Sequence, residues 1–315
     1  MYKYLVFVLI LVGFGFVSIS ENTDPPKSKL ELGKLLFFDP ILSLDSTISC
    51  ASCHKPEYAF ADTFAISPGI QGRLGRRNAP SVMNMAFRDL MFLDGRSSNL
   101  RDQVHFPIGD TLEMGFNIER VIHRLKRHPD YSSYFEKLYG SVPSSENISD
   151  AIAIFEESLE TSDTEFDRWM NDQKNNMTAS AIRGREIFMS KKAKCFDCHF
   201  GPDFTGDEFK NIGLYDEMIY VDKGRYEITK DSADLGRFKV PGLRNVAITR
   251  PYMHDGSFET LREVIEYYDN PSQFVKNPIN IDTLLLEPLH LTSEEKQDLE
   301  AFLLSLTDIK FLNKT

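Results

Sequence analysis

Nothing in this 315-residue chain reaches the roughly 20 apolar residues in a row that a membrane-spanning helix needs. The longest such run, Tyr4 to Val17, stops at fourteen. Basic residues are also short: 36 Lys and Arg face 47 Asp and Glu, a net charge of −11. That balance argues against nucleic acid as a partner. It suits a small basic protein partner, or simply a solvated acidic surface. Strand signals are sparse, with one candidate short pair near residues 217–230, so the chain reads as mainly α. Cysteine is scarce, at four residues.

The N-terminus has the plan of a secretory signal. Met1 to Lys3 carry one positive charge, the apolar run follows, and Ser18-Ile19-Ser20 offers small residues near a cleavage point. A signal peptide over 1–20 and a periplasmic destination are expected, with an uncleaved membrane anchor as the alternative. No cysteine stands near residue 20, which argues against a lipoprotein. Removing residues 1–20 takes away only Lys3, so 36 basic residues become 35 against 47 acidic ones, or −12.

The four cysteines fall as Cys50-Ala-Ser-Cys53-His54 and Cys195-Phe-Asp-Cys198-His199. Four cysteines in an exported protein default to two disulfides. Here both pairs are C-x-x-C followed at once by histidine, the attachment signature of a c-type haem. Two thiols add to the vinyl groups on one haem edge, and the next residue sets an imidazole beneath the iron. A zinc ribbon would hold its C-x-x-C pairs about 15–20 residues apart. Cys53 and Cys195 are 142 positions apart. Two covalently bound haem c groups are expected, with His54 and His199 as proximal ligands.

The motifs sit in a duplicated unit. Gly33-Lys-Leu-Leu-Phe37 precedes the first and Gly184-Arg-Glu-Ile-Phe188 the second. Pro80, Asn84, Asp94-Gly95 and Leu100-Arg101 recur 161 positions later as Pro241, Asn245, Asp255-Gly256 and Leu261-Arg262. Two homologous cytochrome c-type domains follow, each enclosing one haem among long loops: 21–175 and 176–315, divided at the polar run 171–176. Amphipathic helices are predicted over 148–160, 178–189 and 258–268. A capping box, Thr292-Ser-Glu-Glu295, opens another through Leu306. His123, His128 and His290 read as solvated.

The two units differ where an iron's second face would be filled. Seven residues after Leu261 stands Tyr268; seven after Leu100 stands Pro107, which offers no ligand. The first haem is therefore expected to keep an open or water-filled face. Glu113, six residues further on, could act there as general acid/base, moving a proton between two peroxide oxygens. Gln103 could hydrogen-bond the same molecule.

These motifs resemble the bacterial dihaem cytochrome c peroxidase family, which includes MauG. The likeness runs from Gly33 to about Leu306 and takes in Leu36 to Pro40, Arg77 to Pro80, Asp94-Gly95-Arg96, Glu113-Met-Gly115 and Pro251 to Gly256. It implies a peroxide-reducing haem in the first domain, an electron-transfer haem in the second and a calcium ion between them. Asn78 and the carbonyls of Thr249 and Pro251 match the calcium positions. Gln103 and Glu113 match the distal pocket, and His254 the loop between the haems. Small cytochromes or copper proteins would donate electrons, and a homodimer would be compatible with the family. Tyr268 stands where the peroxidases carry methionine and the MauG branch tyrosine, and the loop 69–75 lacks the histidine that caps many resting peroxidases. Both features pull towards MauG, whose substrate is another protein. Leu93 replaces the family's inter-haem tryptophan. The reading is a periplasmic peroxidase; the rivals are a MauG-like oxidant of protein side chains and a plain dihaem electron carrier.

Overall fold

The structure is a computed structural model that describes residues 24–173 and 176–312, so the expected signal peptide lies outside the described residues. Among the described residues no helix is long and apolar enough to cross a membrane. The α-helices in chain order are α1 (Lys29–Phe38), α2 (Cys50–Cys53), α3 (Leu100–Gln103), α4 (His105–Gly109), α5 (Ile118–Arg127), α6 (Pro129–Tyr139), α7 (Ser145–Glu157), α8 (Glu165–Met170), α9 (Ala179–Phe188), α10 (Tyr226–Thr229), α11 (Leu261–Asp269), α12 (Ser293–Leu304) and α13 (Ile309–Leu312). Two-residue strands β1 (Phe209–Lys210) and β2 (Phe238–Lys239) pair antiparallel. The strand pair therefore lies outside 217–230, where α10 forms instead. The four helices read from sequence appear as α7, α9, α11 and α12. Thr292 and Glu295 cap α12 reciprocally, satisfying N–H groups that a helix start leaves open.

Two apolar cores organise the chain. In the first, α1 packs on α7; in the second, α9 packs on α12. Both helix pairs approach closely at a glycine. A Cβ on Gly33 would lie 1.8 Å from the Ala151 carbonyl oxygen, and one on Gly184 would lie 1.8 Å from that of Asp298. Beside each glycine sits the same phenylalanine triangle. Phe37 meets Phe155 at 5.1 Å and Phe60 at 6.0 Å; Phe188 meets Phe302 at 5.2 Å and Phe204 at 6.0 Å. Edge contacts of this kind add to the burial of large rings.

The duplication extends to the loops. A bridge joins Met91 to Ser97, and another joins Tyr252 to Phe258. Within them Gly95 and Gly256 hold φ of +70° and +69°, where an L side chain is strained. Each loop reaches across to the other unit: Gly95 lies against Phe209, and Gly256 against Ala65. Arg77 ties the units further, with 2.6 Å to Asp222 and 2.5 Å to Asp94.

Helix α8 precedes residue 175 but packs with the second core, where Phe166 meets Phe204 at 5.3 Å and Phe302 at 5.9 Å. The seam between cores thus falls before Thr164. Of the polar run 171–176, residues 174 and 175 lie outside the described residues. His123 and His290 are exposed as expected. His128 is half-buried, edge-on to Tyr131 at 5.2 Å, and its Nδ1 is buried without a partner. Its place directly before Pro129 at the start of α6 pulls it onto the first core, which charge content alone did not reveal.

Candidate functional site

Both motifs close on the same backbone bond, although the first is a turn of α-helix and the second a 3-10 turn. The His54 and His199 amides donate to the carbonyls of Cys50 and Cys195, each at 2.9 Å, closing a turn that carries thiols and imidazole together. The ring atom Nδ1 of His54 stands 3.1 Å from the Phe60 carbonyl, and that of His199 stands 3.0 Å from the Phe204 carbonyl. An Nδ1–H donated to a carbonyl fixes the tautomer and leaves Nε2 as the free ligand atom, the second-shell arrangement of metal-binding histidines. Phe60 and Phe204 make it possible by adopting φ of +58° and +56°. Burial lowers the affinity of both imidazoles for a proton, which favours the neutral, ligating form. All four cysteines are free thiols. Burial pushes Cys53 up to about 11 and Cys195 up to about 12, and raises Cys50 and Cys198 as well.

A cavity of about 370 Å³ opens over the second motif, within the range of about 300–1,000 Å³ of cofactor pockets. Cys195, Cys198 and His199 line it together with Leu261, Leu299 and Leu303, and Arg88, Lys210 and Lys239 add cations. Tyr268, on the last turn of α11, lines the same cavity. Its neighbour Tyr267 instead turns away and donates to the Ile212 carbonyl at 2.5 Å. Burial, then the thiols of Cys198 and Cys195, hold the Tyr268 phenol well above its ordinary value. The sequence-predicted contrast at this position has a structural counterpart. Pro107 lies inside α4 and lacks the N–H that would bond back to Gln103, so the helix breaks at Val104 where α11 runs on unbroken.

Around the first motif, Glu113 is half-buried in the turn after α4, its carbonyl accepting from the Ile70 amide at 2.7 Å. Its carboxylate is near enough to Cys50 and Cys53 to push both thiols up. Burial and then Asp110 push its pKa up, while Arg96 and Arg76 pull it down. Gln103 is half-buried at the end of α3, between that helix and the break before Pro107.

The residues expected between the haems also converge. Asn78, Thr249, Pro251, His254 and Leu93 all line the cavity described above. The Asn78 amide group donates to the carbonyls of Phe64 and Ala65 at 3.1 and 3.2 Å. Among the described residues, nothing donates to its Oδ1 or to the carbonyls of Thr249 and Pro251. His254 is buried, stacks on Phe238 at 4.1 Å and accepts from the Asn78 amide through its backbone carbonyl at 2.8 Å. Among the described residues no cluster of three or more His, Cys, Asp or Glu could hold a metal ion. An amide and carbonyl oxygen set is the hard-ligand type that calcium takes.

A family model described as di-haem cytochrome c peroxidase matches residues 27–175. The chain is 34% identical to methylamine utilization protein MauG of Methylorubrum extorquens over 91% of this chain and 82% of the relative. It belongs to the dihaem cytochrome c peroxidase family. Cytochrome c peroxidase Ccp of Escherichia coli is 41% identical over 77% of this chain, which spans only 53% of that relative. A solved MauG-like protein associated with microbial copper homeostasis superposes with a TM-score of 0.82 at 30% identity, covering 92% of both chains. The diheme peroxidase BthA of Burkholderia thailandensis shares the fold at a TM-score of 0.81 and 23% identity, over 92% of this chain and 88% of BthA.

Family membership brings two haem groups, and the donor sets at both motifs fit them: free thiols, an oriented imidazole and, at the second, an apolar cavity. Sequence reasoning missed the carbonyls of Phe60 and Phe204. Backbone acceptors leave no signature, although a phenylalanine six or five residues after each histidine was a usable sign. It also gave no role to Arg96, which bears on Glu113.

Proposed function

We propose that the protein is an exported, periplasmic dihaem c-type peroxidase. It reduces hydrogen peroxide to water with two electrons from a small cytochrome or copper protein and two protons. The first unit would hold the peroxidatic site and the second the electron-transfer haem, each attached through its cysteine pair. When bound, haem supplies the redox-active iron. His54 would hold the iron of the first haem and His199 that of the second, each through Nε2. Glu113 takes a proton from one peroxide oxygen and returns it to the other, a role helped by burial that keeps its carboxyl readier to hold a proton. Gln103 orients the peroxide by a hydrogen bond. Asn78, Thr249 and Pro251 would hold calcium, and His254 would pack between the haems. The observation that carries the reading is Glu113, half-buried near the first cysteine pair, in a unit that has Pro107 where the second has Tyr268. Holoprotein supplied with reduced cytochrome c and peroxide should oxidise the cytochrome catalytically. Absence of turnover in protein with both haems refutes the peroxidase.

Tyr268 in the second cavity favours a second reading, a MauG-like enzyme that uses peroxide to oxidise side chains of a partner protein. Such a protein would consume peroxide only slowly with reduced cytochrome c. A plain electron carrier has no use for a half-buried Glu113.

A further inference from the structure

The matched helix pairs locate a buried acid that the reading above does not use. Gly33 faces Ala151 and Phe155 on α7, just as Gly184 faces Asp298 and Phe302 on α12. The residue after Phe155 is Glu156, and the residue after Phe302 is Leu303. Leu303 lines the second cavity with Cys195. Glu156 thus takes the place in the first helix pair that Leu303 takes in the second. It is 4% exposed, and among the described residues its buried Oε2 has no partner. Its electrostatic effect on Cys50 is larger than that of any other side chain.

The surroundings offer no counter-charge. Helix α2 presents the Cys50 thiol. Helix α1 turns Leu32 and Leu36 inward and leaves Lys29, Glu31 and Lys34 exposed; α5 turns in Val121 and Leu125. On α3, Arg101 is committed to Glu157 at 2.9 Å and Asp150 at 2.8 Å. Burial, then Glu157, push Glu156 up to about 8. An unpaired carboxylate in so dry a place is costly, and a change of one unit of charge nearby decides its protonation.

We propose that Glu156 is a redox-linked proton site of the first haem. Its carboxylate takes one proton from solvent when one electron reduces the iron held by His54, and releases it on oxidation, so the buried charge stays constant. The second unit, with Leu303 at this place, has no such site. The inference rests on the haem reading above.

The test is spectroelectrochemical titration of holoprotein at several pH values around 8. The first haem's midpoint potential should fall as pH rises, approaching about 59 mV per pH unit for one proton per electron. Glu156→Gln should flatten that slope, as should Glu156→Leu, which installs the second unit's residue. Glu31→Gln, at an exposed acid on α1, should keep it. A flat wild-type profile, or an unchanged slope in both Glu156 variants, overturns the proposal while leaving the peroxidase reading intact. Protein that carries no haem, seen directly in its visible spectrum, overturns both.

Discussion

The first and second units share a frame of matched contacts and part company at a few polar positions. Each has a glycine seating one helix on another, a phenylalanine triangle beside it, and a histidine whose Nδ1 meets a phenylalanine carbonyl. The differences gather at polar positions: Pro107 against Tyr268, Glu156 against Leu303, and Glu113 against Phe274, which in the second unit packs on Phe258 and Tyr267 at 5.6 and 5.4 Å. After duplication, packing residues are held because a core tolerates little change in shape. Residues facing a cofactor are free to change, and they decide what each copy does. The comparison is broken most completely by haem loading. Replacing Cys50 and Cys53 by serine should remove one haem mass from the protein, and replacing Cys195 and Cys198 should remove the other, as read by intact-mass spectrometry. His54→Ala should leave both attached. A wild-type protein with one haem, or with zinc, would end the two-unit reading.

The next largest effect should fall on one unit alone. Glu113→Gln should keep both haems and lower peroxide turnover at least tenfold, since general acid/base catalysis contributes about 10² to 10⁴-fold. Phe274→Leu, at the matching place in the second unit, should leave turnover within twofold or so of wild type. Equal losses in both would make Glu113 a structural acid.

Tyr268 sharpens the contrast further. If it ligates the second iron, its oxygen stabilises the ferric state more than a methionine thioether does, and axial ligands shift haem potentials over a range of about 0.8 V. Tyr268→Met should raise the second haem's potential and introduce the near-infrared band of methionine ligation. Tyr268→Phe with an unaltered ferric spectrum would reduce Tyr268 to a packed aromatic.

How much of this was legible in the sequence follows from what each feature depends on. The cysteine motifs are local, so spacing alone picked out the two histidines whose Nδ1 atoms meet phenylalanine carbonyls. The 161-residue register from Pro80 to Pro241 was equally plain, and it carried Tyr268 to the cavity wall where it stands. Helices with caps, such as α12 after Thr292, were visible for the same reason. The place of α8 was not, because it depends on Phe166 meeting Phe302 well over a hundred residues away. Glu156 was hidden for a different reason. A glutamate near the end of a helix reads as a surface charge, and only the matched pairing of α7 and α12 shows that it faces inward.

The smallest expected effect tests the shared frame itself. Alanine normally improves a helix interior by about 1 kcal/mol over glycine. At Gly33 and Gly184 that gain cannot be realised, because the new Cβ would sit 1.8 Å from a backbone oxygen that cannot rotate away. The helices must separate, opening the phenylalanine triangle that supports each histidine's carbonyl partner. Overpacking of this kind typically costs about 1–3 kcal/mol. Gly33→Ala and Gly184→Ala should therefore lower the urea midpoint of the holoprotein by similar amounts, and each should loosen its own haem's spectrum only. Gly109→Ala is the control: nothing lies within 4 Å of a Cβ there, so stability should hold or rise slightly. A large loss at one contact glycine and none at the other would mean that the two helix pairs, alike in geometry, do not bear the same load.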